Sequence, residues 1–117
     1  MKDSEMRDRA KSLSIRIIRE CKNVDDRNGG SVLINQIIRS ATSIGANIHE
    51  ANYAASKADF INKLQIALKE CYETEYWIDL LEEIGGFSSD CKKELLQESG
   101  IIRRMLVKSI HTAKTNS

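Results

Sequence analysis

Apolar residues along this chain recur mostly at steps of three and four, the pattern of helices that bury one stripe. Met6, Ala10, Leu13, Ile17 and Cys21 form the first stripe and predict a helix over 4–21, with Asp3 or Ser4 as its N-cap. The stretch Asn23-Val-Asp-Asp-Arg-Asn-Gly-Gly30 interrupts it, because glycine and short polar side chains favour turns. A second helix opens at Ser31 and carries Ile34, Ile37, Ile38, Ala41, Ile44, Ile48 and Ala51 on an arc of about 140°, at about 100° per residue. Gly45 shares that arc, as expected where another backbone comes close. Beside it runs a polar row of Gln36, Ser40, Ser43, Asn47 and Glu50.

Ser56 and Asp59 ahead of Phe60 resemble a capping box and start a third helix at Lys57, which Gly85-Gly86 should stop. Phe60, Ile61, Leu64, Ala67, Leu68 and Cys71 form one of its faces. Ile66, Trp77, Leu80, Leu81 and Ile84 fall on a second face, turned by roughly 180° on the same angular count. Either the helix drifts about its axis, or the second face is an oligomer interface. A fourth helix follows an N-cap at Ser88, Ser89 or Asp90 and points Cys91, Leu95, Ile102, Met105 and Leu106 inward, with a frayed tail beyond Ala113. Four helices with short connections predict an all-α, antiparallel up-down four-helix bundle forming one domain over 1–117.

Composition agrees with that class. There is no proline and there are only six aromatic residues among 117, a poor recipe for a sheet. Cys21, Cys71 and Cys91 each fall on or beside an apolar position, as reduced core thiols do. Their odd number, with no signal-type apolar stretch near Met1, points to the cytoplasm. No apolar run approaches the roughly 20 residues of a membrane span. The net charge of +1 conceals a segregation: residues 1–22 carry seven basic and four acidic side chains, 57–84 three and seven, and 89–114 six and three. Charge matching between antiparallel neighbours explains this more simply than a dedicated polyanion face.

Little here suggests catalysis. A di-metal bundle needs Glu-x-x-His pairs, and neither His49 nor His111 follows a Glu by three. No phosphate loop, dinucleotide fingerprint or zinc spacing is present, so no metal or cofactor is expected. Lys63, Glu70, Glu73 and Trp77 share a face amid the second apolar stripe. With Ser43, Asn47 and Glu50 they predict a hydrogen-bond network between helices or subunits, or alternatively a ligand cleft at Asn47, Glu50, Lys63 and Glu70. Lys93, Arg104, Lys108 and His111 lie within an arc of about 60°, and Arg9, Arg16 and Arg19 within about 80°. These two basic ridges are ordinary solvated faces or, repeated around an oligomer, a surface for nucleic acid.

The runs Arg39-Ser-Ala-Thr-Ser-Ile-Gly-Ala-Asn-Ile-His-Glu50, Ser56-Lys-Ala-Asp-Phe60, Lys63-Leu-Gln-Ile-Ala67 and Glu70-Cys-Tyr-Glu-Thr-Glu-Tyr-Trp77 resemble the four-helix-bundle family encoded in intervening sequences of bacterial 23S rRNA genes. Its pattern Ser-x-x-x-Asn-Ile-x-Glu lands on Ser43, Asn47, Ile48 and Glu50, and Ser-x-x-acid-Phe on Ser56, Asp59 and Phe60. Many relatives have Gly after that Glu; Ala51 here is expected to extend the second helix by a turn. The resemblance implies a homopentamer without catalytic activity, like the related accessory protein of diversity-generating retroelements, which engages nucleic acid and its reverse transcriptase through a basic surface. The expected partners are therefore copies of the chain itself and RNA or DNA, with no membrane and no small-molecule substrate identified. A scaffold for another polypeptide, without nucleic acid, is the alternative.

Overall fold

The computed structural model describes residues 2–116, with side chains from Glu5 onward. Four helices, α1 (Lys2–Cys21), α2 (Gly30–Ala51), α3 (Lys57–Glu83) and α4 (Ser89–Thr115), form an elongated body of 50 × 22 × 18 Å. α1 packs on α2 and α4, and α3 packs on the same two, with no close backbone approach across the diagonals among the described residues. This is the expected up-down bundle.

α1 already runs from Lys2, so Asp3 and Ser4 lie inside it rather than capping it; their side chains are outside the described residues. Its predicted stripe is buried throughout. Asn28 and Gly29 adopt left-handed backbone in the first loop, and α2 follows one residue earlier than expected, at Gly30. α2 stops at Ala51. The Asn52, Tyr53 and Ala54 amides bond three residues back, tightening the chain into a turn instead of the extra helical turn expected from Ala51.

The caps of α3 follow the sequence closely. Ser56 Oγ accepts from the Asp59 amide at 3.0 Å, and Asp59 Oδ2 accepts in return from Ala55, one residue before the cap. At the other end Gly85, with φ +81°, and Gly86 close a Schellman motif: the Gly85 amide donates to Glu82 and the Gly86 amide to Leu81. Ser88 caps α4 through the Cys91 amide at 3.0 Å, and the helix runs to Thr115. It therefore extends two residues beyond Ala113.

The core stripe of α3 corrects the two-face reading. Leu64, Ala67, Cys71, Thr74, Ile78 and Leu81 are all buried, at alternating steps of three and four. Leu81 thus belongs to the inner face, and Thr74 and Ile78 join it. A straight helix drifts about 20° per heptad away from such a repeat, so a fixed 100° step misassigned the far end. Ile66 and Leu80 are half-buried, Ile84 is exposed, and Trp77 packs partly on the core. Met105 does the same, while Val24 and Phe87, in the loops after α1 and before α4, are buried.

Three core positions are polar, and each is bonded. Thr74 Oγ1 donates to Ser40 Oγ at 2.8 Å, and Ser40 Oγ donates to the Ile37 carbonyl. Ser99 Oγ donates to Glu75 Oε2 at 2.7 Å and lies 3.3 Å from Cys71 Sγ. Among the described residues no buried side-chain nitrogen or oxygen lacks a partner.

Candidate functional site

The polar row of α2 and the Lys63, Glu70, Glu73, Trp77 face of α3 meet along the α2–α3 seam. Lys63 Nζ donates to Glu50 Oε1 at 2.9 Å. Arg39 bridges Glu70 and Glu73, and Trp77 Nε1 donates to Glu73 Oε2 at 2.9 Å. Asn47 Nδ2 turns back onto Ser43, reaching its carbonyl at 2.8 Å and its hydroxyl at 3.1 Å. Glu70, with 17% of its side chain exposed, would be costly to leave unpaired, by about 1–3 kcal/mol or more. Arg39 meets that demand. The Lys63–Glu50 and Arg39–Glu70–Glu73 pairs thus tie α2 to α3 in register, while Asn47 bonds only within α2. Arg39 escaped the sequence reading as a site residue; the one signal for it is that α2 contains no other Arg or Lys.

The α3–α4 seam carries a second network. Arg103 Nε donates to Glu75 Oε2 at 3.1 Å, and its guanidinium lies 5.8 Å from the Tyr72 ring centroid. The Glu75 carboxylate holds Arg103 above its usual value. Lys92 reaches Asp79 at 2.7 Å and Glu82 at 3.4 Å. Acidic α3 and basic α4 are therefore matched across their contact, as the simpler reading of the charge blocks expected.

The two basic ridges fare differently. Arg9 pairs with Glu5, and Arg16 with both Glu20 and Glu94, whose carboxylates raise its already high value. Among the described residues Arg19, Lys93, Arg104 and Lys108 have no carboxylate within 4.0 Å, and neither do Lys11, Lys22 and Lys114. Arg104 lies over Gly100, where a Cβ would meet its Nη1 at 3.3 Å. Among the described residues, cations without a carboxylate neighbour thus lie mostly on or just beyond α1 and on α4, with Lys57 and Lys69 on α3 as the others.

The cysteines offer no reactive thiol. Burial pushes Cys21 up to about 11 and raises Cys71 and Cys91 as well, so the nucleophilic thiolate is disfavoured at neutral pH. Among the described residues no three His, Cys, Asp or Glu side chains converge to hold a metal ion, and no helix is long and apolar enough to cross a membrane.

Open grooves lie elsewhere on the bundle, and two of them are bounded by described residues. One, of about 470 Å³, lies between α1 and α2, bounded by Arg7, Lys11, Ser14, Thr42, Gly45 and His49. The other, of about 390 Å³ and more apolar, opens between Met6, Phe60 and Met105, with Lys108 and Glu5 at its rim.

A model of the 23S rRNA-intervening sequence protein family matches residues 2–108, nearly the whole chain. The chain belongs to that family. The resemblance carried by the α2 and α3 motifs is borne out, and extends into α1 and α4. A crystal structure of a protein of unknown function from the S23 ribosomal protein family of Bacteroides thetaiotaomicron VPI-5482 superposes with a TM-score of 0.88. The two are 41% identical, over 95% of this chain and 99% of the other. A comparison with curated proteins finds no match. Of the family pattern, Glu50 ties α2 to α3 through Lys63, Ser43 and Asn47 bond each other within α2, and Ser56 and Asp59 form the α3 cap. Those motif residues have structural work to do.

Proposed function

We propose that this family member is a non-enzymatic homo-oligomeric scaffold that presents its basic α1 and α4 surfaces to RNA or DNA. The observation that carries the reading is the outer side of α3. Tyr72, Tyr76 and Ile84 are 54%, 57% and 49% exposed there, and Trp77 packs edge-on against Tyr76 with ring centroids 5.2 Å apart. Aromatic side chains of this kind favour protein interfaces, and clustered apolar surface in water marks an interaction site. The bundle is complete without them. A second copy is the occupant that needs nothing beyond the chain itself, and five copies is the number the family resemblance implies. Pairing of the seam residues and burial of the thiols support a non-enzymatic role.

The nucleic-acid part rests on the unpaired cations of α1 and α4, which would bind phosphate charge rather than read bases. Scattering-derived mass during size exclusion tests the assembly. The expected mass is several chains, reduced by Tyr76→Asp and Ile84→Asp, two exposed sites whose substitution leaves the core intact. A monomeric wild type overturns the oligomer. RNA co-elution should weaken steeply between 50 and 200 mM salt, and salt-insensitive binding would remove the electrostatic mechanism. An intact oligomer that ignores nucleic acid but retains a protein partner would favour a protein-interaction scaffold.

A further inference from the structure

The α1–α2 groove combines three features that the basic ridges lack. Arg7 and Lys11 on α1 and His49 on α2 line it together with Gly45 and Ala46, which carry little side chain. Among the described residues Asp8 is the one acid lining it and reaches Arg7 Nε only at 3.9 Å, and Lys11 has no carboxylate within 4.0 Å. At its mouth the His49 ring contacts Tyr53, centroids 5.4 Å apart, and Tyr53 is 76% exposed, the most exposed large hydrophobic residue described.

From this arrangement we infer that the groove is a binding track for single-stranded nucleic acid, with a phosphodiester held by Arg7, Lys11 and His49 and an adjoining base stacked on Tyr53. The inference rests on nucleic acid being a partner at all. Cations beside an exposed aromatic ring are the combination that single strands require, because every base offers a stacking face while its backbone offers charge. The groove's volume of about 470 Å³ lies within the roughly 300–1,000 Å³ of small-ligand sites. Ser14 Oγ already donates to the Ala41 carbonyl at 3.0 Å, and Thr42 Oγ1 to the Ile38 carbonyl at 2.7 Å. Their protons are engaged, so neither hydroxyl is left to donate to a phosphate oxygen, and that contact falls to the charged groups. The groove also assigns α1 a role distinct from the predicted ridge, since Arg9 and Arg16 are already ion-paired.

Fluorescence anisotropy with an end-labelled mixed-sequence oligonucleotide, single-stranded or as a duplex, at several salt concentrations tests the track. The double variant Arg7→Gln, Lys11→Gln should weaken single-strand binding about tenfold or more at low salt and flatten the logarithmic salt slope by about 1.4, for two lost phosphate contacts. Tyr53→Ala should weaken single-strand binding about 5- to 160-fold while changing duplex binding little. Equal loss for single strand and duplex on Tyr53→Ala overturns the stacking assignment. If Lys93→Gln, Arg104→Gln, Lys108→Gln abolishes binding while both groove variants bind as wild type, the groove is overturned and the broader nucleic-acid reading survives. If the wild type binds neither probe at low salt, both fall together.

Discussion

Gly30 and Gly45 are alike in the sequence and opposite in what a methyl group would do to them. A Cβ on Gly30 would lie 1.9 Å from the Asp25 carbonyl oxygen, a backbone atom that cannot move without opening the loop before α2. A Cβ on Gly45 would meet Ala10 Cβ at 3.6 Å, an ordinary contact. Gly30→Ala should therefore lower unfolding free energy by about 1–3 kcal/mol or more. Gly45→Ala should raise it by about 1 kcal/mol, the difference in helix propensity. Denaturant midpoints of the two variants give the comparison, and a destabilised Gly45→Ala would mean that α1 crosses α2 more closely than 3.6 Å contact allows. The close approach at Gly45 was legible from its place on a buried arc. That it leaves room for alanine was not, because the distance is set by Ala10 on another helix.

At the scale of the element, α3 separates what periodicity can supply from what it cannot. Its start and stop were readable, because Ser56, Asp59, Gly85 and Gly86 act on backbone within a few residues. Its inner face was readable only for the first few turns. Beyond Cys71 the stripe holds a coiled-coil-like spacing, and the accumulated drift placed Leu81 on the wrong side while hiding Ile78. Ile78→Ala should cost about 2–5 kcal/mol, as for a fully buried side chain. Ile84→Ala should stay within about 0.5 kcal/mol when measured on dissociated protein. Thermal or urea unfolding at low protein concentration provides both values; near-equal costs would reinstate the two-faced helix. The polar network was legible as residues sharing a face. Its partners were not: Arg39 meets Glu70 and Glu73 through the relative register of two helices, a property neither helix encodes alone.

For the whole molecule, the cysteines report how the bundle opens. Cys21 ends α1, Cys71 lies midway along α3 and Cys91 begins α4, so their side chains sample three helices. All are buried, and burial raises each thiol, Cys21 to about 11 from an ordinary 9.0. Because the folded chain retains protons that the unfolded chain releases, this contribution to stability is fully present below about pH 9 and is lost as pH rises through 11. Lys63 and Lys92, raised by Glu50 and Asp79, act in the same direction by losing their pairs at high pH. The melting temperature should therefore be lower at pH 10 than at pH 8. At pH 8 a disulfide reagent can attack only when the bundle opens and the thiolate forms. Cooperative unfolding of a small domain then predicts one slow rate for all three cysteines, slowed further by anything that stabilises the fold. Rapid labelling of Cys21 and Cys91 with Cys71 protected would instead place a separate opening at the end of the bundle where α1 finishes and α4 starts. A melting temperature unchanged between pH 8 and 10 would show that thiol ionisation is not linked to folding.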